Sequence, residues 1–430
     1  MTSTVDFIGV GVGPFNLSIA ALSQQAAGFT SLFLDSRPRF AWHPGMLVPD
    51  CAMQTMFLKD LVTAVAPCSP YSFVNYLVQR RKFYRFLTTG MRVVSRHEFS
   101  DYLSWAAEGM ENLRFGQTVQ EITFDDDRRL FAVRTQDDLY HSRHVCLGVG
   151  KEPFLPSCVP DQDDRCFHAS EMNARNPDLG ARRVTIVGGG QSGADLFLNV
   201  LRGEWGDPTH IHWVSRRNNF NALDETPFAN EYFTPEYVQS FGSLSGPARQ
   251  QMLTEQKMTS DGITTDTLST IYRTLYHRFE VQGRPLDVGL LPSRSVTSVT
   301  RHGEGIRLHL DHQLDQGHDL IDTDVVILAT GYRWAVPAFL SPLLPRLSAG
   351  HGRNLHVRDD FTLGWDGPPD NLLFAVNASI DTHGIAEPQL SLMAWRSARI
   401  LNRALGRDLF DLSTTPSFIR WRSARQDSLS

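Results

Sequence analysis

A chain of 430 residues is too long for one ordinary core and calls for two or three domains. With 41% apolar and 20% charged residues and a net charge of −6, it has the balance of a globular protein in water and no general footprint for nucleic acid. It has no run of 18 apolar residues and no basic leader at its N-terminus, so neither a spanning helix nor a signal peptide is expected.

The first strand comes at once, at Val5 to Val10, and runs into Gly11-Val12-Gly13-Pro14-Phe15-Asn16-Leu17 and a helix of small and apolar residues. A strand that turns into a helix through glycines lets the backbone approach a pyrophosphate, with N–H groups and the helix dipole facing the anion. Gly11 and Gly13 supply the tight turn and the close approach; Asn16 stands where a third glycine is usual. A side chain there either loosens the strand–helix packing or puts an amide beside the cofactor. The next strand, Ser31 to Leu34, ends in Asp35, placed about 20 residues beyond the glycines to accept the ribose hydroxyls of an adenosine.

Phe40 to Leu61 reads as a pocket wall rather than framework, with Trp42, His43, Gln54 and Lys59 in an otherwise apolar setting. Lys59 is equally compatible with a snorkelling surface residue. Helices are expected at Tyr71–Leu77, Phe83–Leu87 and Arg96–Ala107. Strands follow at Leu113–Phe115, Val119–Phe124, Arg129–Arg134 and His144–Gly148, read as a small antiparallel meander interrupting an α/β sheet.

A second fingerprint lies near the middle of the chain. Val184 to Val187 form a buried strand, Gly188, Gly190 and Gly193 give G-x-G-x-x-G around Gln191 and Ser192, and Asp195 to Leu201 is amphipathic enough for the helix that should follow. The second strand of this unit, Ile211–Val214, ends in Ser215-Arg216-Arg217. Where the first unit has an acid this one has two cations, which suits a 2′-phosphate and so NADP rather than NAD.

From Ala222 to Arg278 mainly helical sequence interrupts the second unit, as a substrate-facing insertion would. Strands resume at Gly289–Leu291, Val296–Thr300 and Gly305–Leu310. The buried strand from Asp324 ends in a tight turn at Gly331. Beyond Leu372–Asn377 and the segment Thr382–Ser391, a long helix runs through Ala404, and the tail past Thr414 is expected to fray. Cys51, Cys68, Cys146, Cys158 and Cys166 form no C-x-x-C, and no histidines stand at metal-ligand spacing, so no metal site is expected. Cys158 and Cys166, eight positions apart, are poor candidates for the redox pair of a pyridine-nucleotide:disulfide oxidoreductase.

Two dinucleotide sites, one with an acid and one with Arg-Arg, describe a flavin enzyme reduced by NADPH. GVGPFNL, FAWHPGM, MQTMFLKDL, GGGQSGAD, TPFANEYF, ATGY and THGIAEPQLS, in that order, make the chain resemble the flavin-dependent N-hydroxylating monooxygenases of siderophore biosynthesis. Within that family it is most similar to the members that hydroxylate lysine for aerobactin-type hydroxamates.

The resemblance implies an α/β fold of two Rossmann-like domains, one for FAD (1–175 and 335–430) and one for NADPH (176–221 and 286–334), with a helical substrate-binding insertion at 222–285. It implies that NADPH reduces FAD, that O2 adds to give a flavin hydroperoxide, and that the neutral side-chain amine of L-lysine attacks its distal oxygen. It places Lys59 and Asn230 at the amino acid's polar end, Ser391 near substrate and flavin, Gln54 near the flavin and Gln191 beside the nicotinamide. Ser260 stands where the ornithine enzymes carry Asn, which puts ornithine in doubt and leaves room for a longer side chain. A diamine, cadaverine or putrescine, and L-ornithine stay open as alternative substrates.

Candidate FAD contacts beyond the first fingerprint are Pro14, Trp42, His43, Gly384 and Leu390. Candidate NADPH contacts are the second fingerprint with Ser192, Arg216 and Arg217, and Gly331 joins the candidate cofactor contacts. A homo-oligomer is implied without any interface signature. The expected location is the cytoplasm, with peripheral attachment at the inner membrane left open.

Overall fold

The computed structural model describes residues 3–159, 162–285, 287–348, 355–413 and 417–423. A seven-stranded sheet is built around Ser3–Val10, which pairs in parallel with Ser31–Asp35 on one side and Leu139–Leu147 on the other. Strand Leu113–Phe115 closes one edge. On its far side Leu139–Leu147 is shared: its first half pairs antiparallel with Leu130–Thr135 and its last three residues pair in parallel with Leu373–Ala375. The meander therefore extends the parallel sheet instead of interrupting it, and the late segment enters where the meander peels away. All ten residues of helix Pro14–Ser23 are buried, and the helix packs against Met393–Leu405.

The second sheet has five parallel strands in the order Val288–Leu291, His210–Val214, Arg183–Val187, Val325–Leu328 and Cys166–His168. Cys166–His168 belongs here, although the sequence boundary at 175 assigns it to the first unit. Three residues are too few to show a period. A separate antiparallel sheet, Arg294–His302, Gly305–His312 and His318–Thr323, has one strand more than the sequence pattern reveals.

The insertion is punctuated by side-chain caps. Thr226, Thr234, Ser245 and Thr264 each accept a backbone N–H in the first turn of the helix that follows. Proline at the start of the first three of these helices is pre-set for that position. The last helix, Thr265–Tyr276, is not insertion at all. It buries Ile271 against the second core, with Leu268 and Leu275 packed there, and links two parallel strands as their crossover helix. The tail also departs from expectation: residues 417–423 dock on the insertion, and Thr414 itself lies outside the described residues. Among the described residues no helix is long and apolar enough to cross a membrane.

Candidate active site between two nucleotide folds

Both glycine turns are fixed by backbone crowding. Gly11 has φ +85°, and a Cβ on it would lie 2.6 Å from the Gly148 carbonyl oxygen, whereas one on Gly13 would meet nothing nearer than 3.9 Å. Gly13 thus leaves space that a phosphate could enter. In the second unit a Cβ on Gly188 would lie 2.1 Å from the Ala329 oxygen and one on Gly193 2.0 Å from the Gly188 oxygen, while Gly190 has room. The two turns have the same division of labour, close packing at the first glycine and an open face at the next.

Asn16 does neither of the two things anticipated for it. It is fully buried beneath the turn, and its amide donates to the carbonyls of Val10 (3.2 Å) and Gly11 (2.7 Å). It fills the space left by Gly148, where a Cβ would lie 2.4 Å from Asn16 Nδ2. The residue braces the loop from behind.

A cavity of about 1000 Å³ runs from the first glycine turn to the mouth of the second unit. Gly11, Gly13, Pro14 and Asp35 line one end; Trp42, His43 and Gln54 line its side. Ser192, Ser260 and Leu390 reach it from the second fingerprint, the insertion and the last segment. An elongated space with a glycine turn, a helix N-terminus and a strand-end acid fits a dinucleotide.

Asp35 is already engaged. Its Oδ2 accepts from Val12 N–H (2.7 Å) and Arg37 Nη2 (2.7 Å), and its Oδ1 from Arg37 N–H (2.8 Å) and Nε (2.9 Å). Burial alone would raise its pKa, but Arg37 and the Val12 N–H hold it below the ordinary value. Two of these four contacts come from a half-exposed guanidinium.

His43 has a left-handed backbone (φ 44°), and its ring lies edge-on to Trp42 (5.4 Å) and Tyr332 (5.8 Å). Its open surface faces the cavity. Crowding by the surrounding walls, then Arg96 and Arg37, lowers its pKa below the ordinary value.

Gln191 does not line this cavity but holds its rim together. Its Nε2 donates to Asp195 (2.8 Å) and Thr267 (3.1 Å), and its Oε1 accepts from Thr264 N–H (2.9 Å). Gln54 Nε2 lies 3.5 Å from that same Oε1. Asp195 is buried, which raises its pKa; Arg96 stands 3.8 Å away and opposes the rise. The pair of cations after the second strand is divided. Arg217 donates to the carbonyls of Gly189 and Asp261 (2.9 Å each), while Arg216 is exposed and forms no hydrogen bond or ion pair among the described residues.

Lys59 is half-buried, with its ammonium 5.9 Å from the centre of the Phe233 ring and no carboxylate partner among the described residues. Burial lowers its pKa. Asn230 is one helical turn from Phe233, and its amide donates to the carbonyls of Glu225 (3.2 Å) and Thr226 (3.1 Å), which leaves Oδ1 free. Ser391 follows the cavity-lining Leu390 without lining the cavity itself. Gly331 and Gly384 also lie off the cavity. Gly331 accepts from Phe154 N–H (2.9 Å), and Gly384 (φ +72°) lets the Phe241 ring approach to 3.3 Å of a would-be Cβ.

Lys151 was missed by the motif reading. It lines the cavity just beyond Gly148-Val149-Gly150, has no ion pair among the described residues, and has its pKa lowered by burial. Its position after a parallel strand's carboxyl end was the available signal, because ligands gather there in such sheets. Burial pushes the Cys166 thiol up to about 11, the reverse of an activated redox thiol.

Two nucleotide folds that open on one cavity define a two-nucleotide flavoprotein type of oxidoreductase. The chain belongs to the L-lysine 6-monooxygenase/L-ornithine 5-monooxygenase family, whose model matches residues 3–334. It is 64% identical over 423 residues to the L-lysine N6-monooxygenase of Escherichia coli, a match covering 98% of this chain and 100% of that protein. The FAD-bound cadaverine monooxygenase of the desferrioxamine pathway of Erwinia amylovora superposes with a TM-score of 0.92 at 29% identity, covering 97% of this chain and 98% of that one. The ornithine N-hydroxylase of Kutzneria sp. 744, solved with reduced FAD, NADP+ and L-ornithine, gives 0.86 at 29% identity, covering 94% and 99%.

Proposed function

We propose that this chain is an FAD- and NADPH-dependent L-lysine N6-monooxygenase that supplies N6-hydroxylysine for a hydroxamate siderophore of the aerobactin type. Bound in the first cradle, FAD supplies the oxygen-activating redox chemistry, with NADPH as its reductant and O2 as the oxidant. The backbone at Gly13 and the first N–H groups of Pro14–Ser23 would face its pyrophosphate. Arg216, exposed and without a partner among the described residues, is the cation available to a 2′-phosphate, while Arg217 secures the loop that presents it.

The observation that carries the choice of an amino acid over a diamine is the ammonium of Lys59 beside Phe233, which meets no carboxylate among the described residues. A half-buried cation without a partner suits a substrate carboxylate, and cadaverine has none. Asn230 refines this reading. Both of its N–H donors are taken by the Glu225 and Thr226 carbonyls, so its Oδ1, without a partner among the described residues, suits the substrate's α-ammonium rather than its carboxylate. Ser260 on the cavity wall, and Ser391 beside it, would border the alkyl chain.

The test is turnover with NADPH, FAD and O2 on L-lysine, L-ornithine and cadaverine in parallel, with the product followed by mass. L-lysine should gain one oxygen atom with the highest kcat/KM. A higher kcat/KM for cadaverine, or peroxide as the sole product with lysine, would overturn the proposal. A cytoplasmic location and a homo-oligomeric working form belong to the same reading. Val78, Tyr84 and Leu87, exposed on neighbouring helices, offer the apolar surface an oligomer needs.

A further inference from the structure

Resting on that reading, we propose that Ser417 and Trp421 of the C-terminal segment are positioning residues for the substrate, acting through the two parts of the insertion that face it. Chain ends usually fray. Here one serine ties two helices together: Ser417 Oγ donates to Glu231 Oε2 and its backbone N–H to Glu236 Oε2, both at 2.5 Å. Neither glutamate forms an ion pair among the described residues, so Ser417 satisfies carboxylates that no described cation neutralises. Four residues on, the Trp421 ring lies 4.6 Å from Tyr237 and 5.5 Å from Tyr232, and those two tyrosines are 4.9 Å apart. Arg422 closes the dock by donating to the Gln239 carbonyl (3.2 Å).

Both aromatic contacts lead to the candidate site. Tyr232 belongs to the short helix Glu231–Phe233, directly after Asn230, and Phe233 on that helix is the ring beneath the Lys59 ammonium. Tyr237 is hydrogen-bonded through its hydroxyl to the buried Gln256. Gln256 directly precedes the helix Lys257–Asp261, which brings Ser260 and Asp261 to the cavity wall. The tail thus grips, from outside, the polar-end segment and the cavity-wall segment together. Side chains held by packing from behind keep their working geometry, and those without support drift.

The experiment compares the full-length FAD-loaded chain with Trp421→Ala, Trp421→Phe and Ser417→Ala. Trp421→Ala should raise the KM for lysine about fivefold or more, given what an aromatic pair contributes, with the KM for NADPH unchanged. It should also divert electrons from hydroxylated product to peroxide, and Trp421→Phe should restore most of both. Ser417→Ala should move the same two quantities in the same direction.

A lysine KM and coupling ratio within about twofold of the parent in both alanine variants, whether or not the melting temperature falls, would overturn the inference. A parent chain that turns over no lysine would instead defeat the functional reading. In that case protease cleavage within 222–264, measured without any amine, decides the inference: faster cutting in Trp421→Ala supports the brace and an unchanged rate overturns it.

Discussion

The side chains of Gln54 and Gln191 meet end to end across the two nucleotide folds, Nε2 of the first 3.5 Å from Oε1 of the second. Gln54 comes from the wall of the first unit and Gln191 from the opening turn of the second unit's helix. The same Gln191 Oε1 caps Thr264 N–H, at the start of the crossover helix.

Replacing Gln191 with Ala should therefore act on domain register, and on the nicotinamide if the proposed placement holds. It leaves Thr264 N–H and the buried Asp195 carboxylate without their partner, at a cost of about 1–3 kcal/mol. The expected outcome is a lower melting temperature together with more peroxide formed per NADPH oxidised. An unchanged melting temperature would mean that Gln191 is not part of a structural joint.

Lys59→Met keeps the stem and removes the charge. If the ammonium pairs with the substrate carboxylate, the KM for lysine should rise by the equivalent of about 1.5–3 kcal/mol while any turnover of cadaverine is unaffected. The preference for lysine over cadaverine should collapse accordingly. Equal losses on both amines would assign Lys59 a structural role against Phe233.

Arg216 and Arg217 look interchangeable in sequence but not in the fold. Arg216→Ala should weaken NADPH about tenfold to a hundredfold, leave NADH alone and leave the melting temperature unchanged, as expected for loss of a charge-assisted phosphate contact. Arg217→Ala removes the anchors to the Gly189 and Asp261 carbonyls and should lower the melting temperature. Steady-state kinetics with both nucleotides, beside a thermal melt, separate the two.

Asn16 shows where motif reading reaches its limit. The two fingerprints, the acid after the first and the cations after the second were legible because each rests on a local rule about strand ends and glycines. What Asn16 does depends on Gly148, brought beside it by pairing of strands more than a hundred positions apart. The same distance hides Cys166–His168, which is a strand only because Val325–Leu328 lies next to it. It hides the tail as well, which is ordered by Glu231, Glu236 and two tyrosines of the insertion. Restoring the usual glycine with Asn16→Gly should thus destabilise the chain by about 1–3 kcal/mol, through two lost amide bonds and a void. Gly148→Ala, which would clash with Asn16, should be less harmful in the Asn16→Gly background, and a double-mutant cycle on melting temperatures measures that coupling.

Acid sensitivity follows from two histidines that the chemistry does not use. His144 and His383 are each 2% exposed, and burial holds both at a pKa of about 4, below the ordinary value of 6.5. His144 Nδ1 accepts the Leu372 N–H (3.2 Å), so it can do its work only when that nitrogen is unprotonated. His383 lies against the Phe361 ring, centroids 4.1 Å apart, in the segment that leads to Leu390. In the unfolded chain both rings take up a proton as the pH falls below the ordinary value; in the folded chain they resist until near 4. Their contribution is therefore fully present above about pH 6.5 and is lost as the pH falls towards 4, by about 2 kcal/mol each at pH 5. Melting temperatures of the FAD-loaded chain should fall steadily from pH 7 to pH 5, before most carboxylates titrate. His383→Gln, which offers hydrogen bonds but no proton uptake, should flatten that slope; an equally steep slope in the variant would remove His383 from the account.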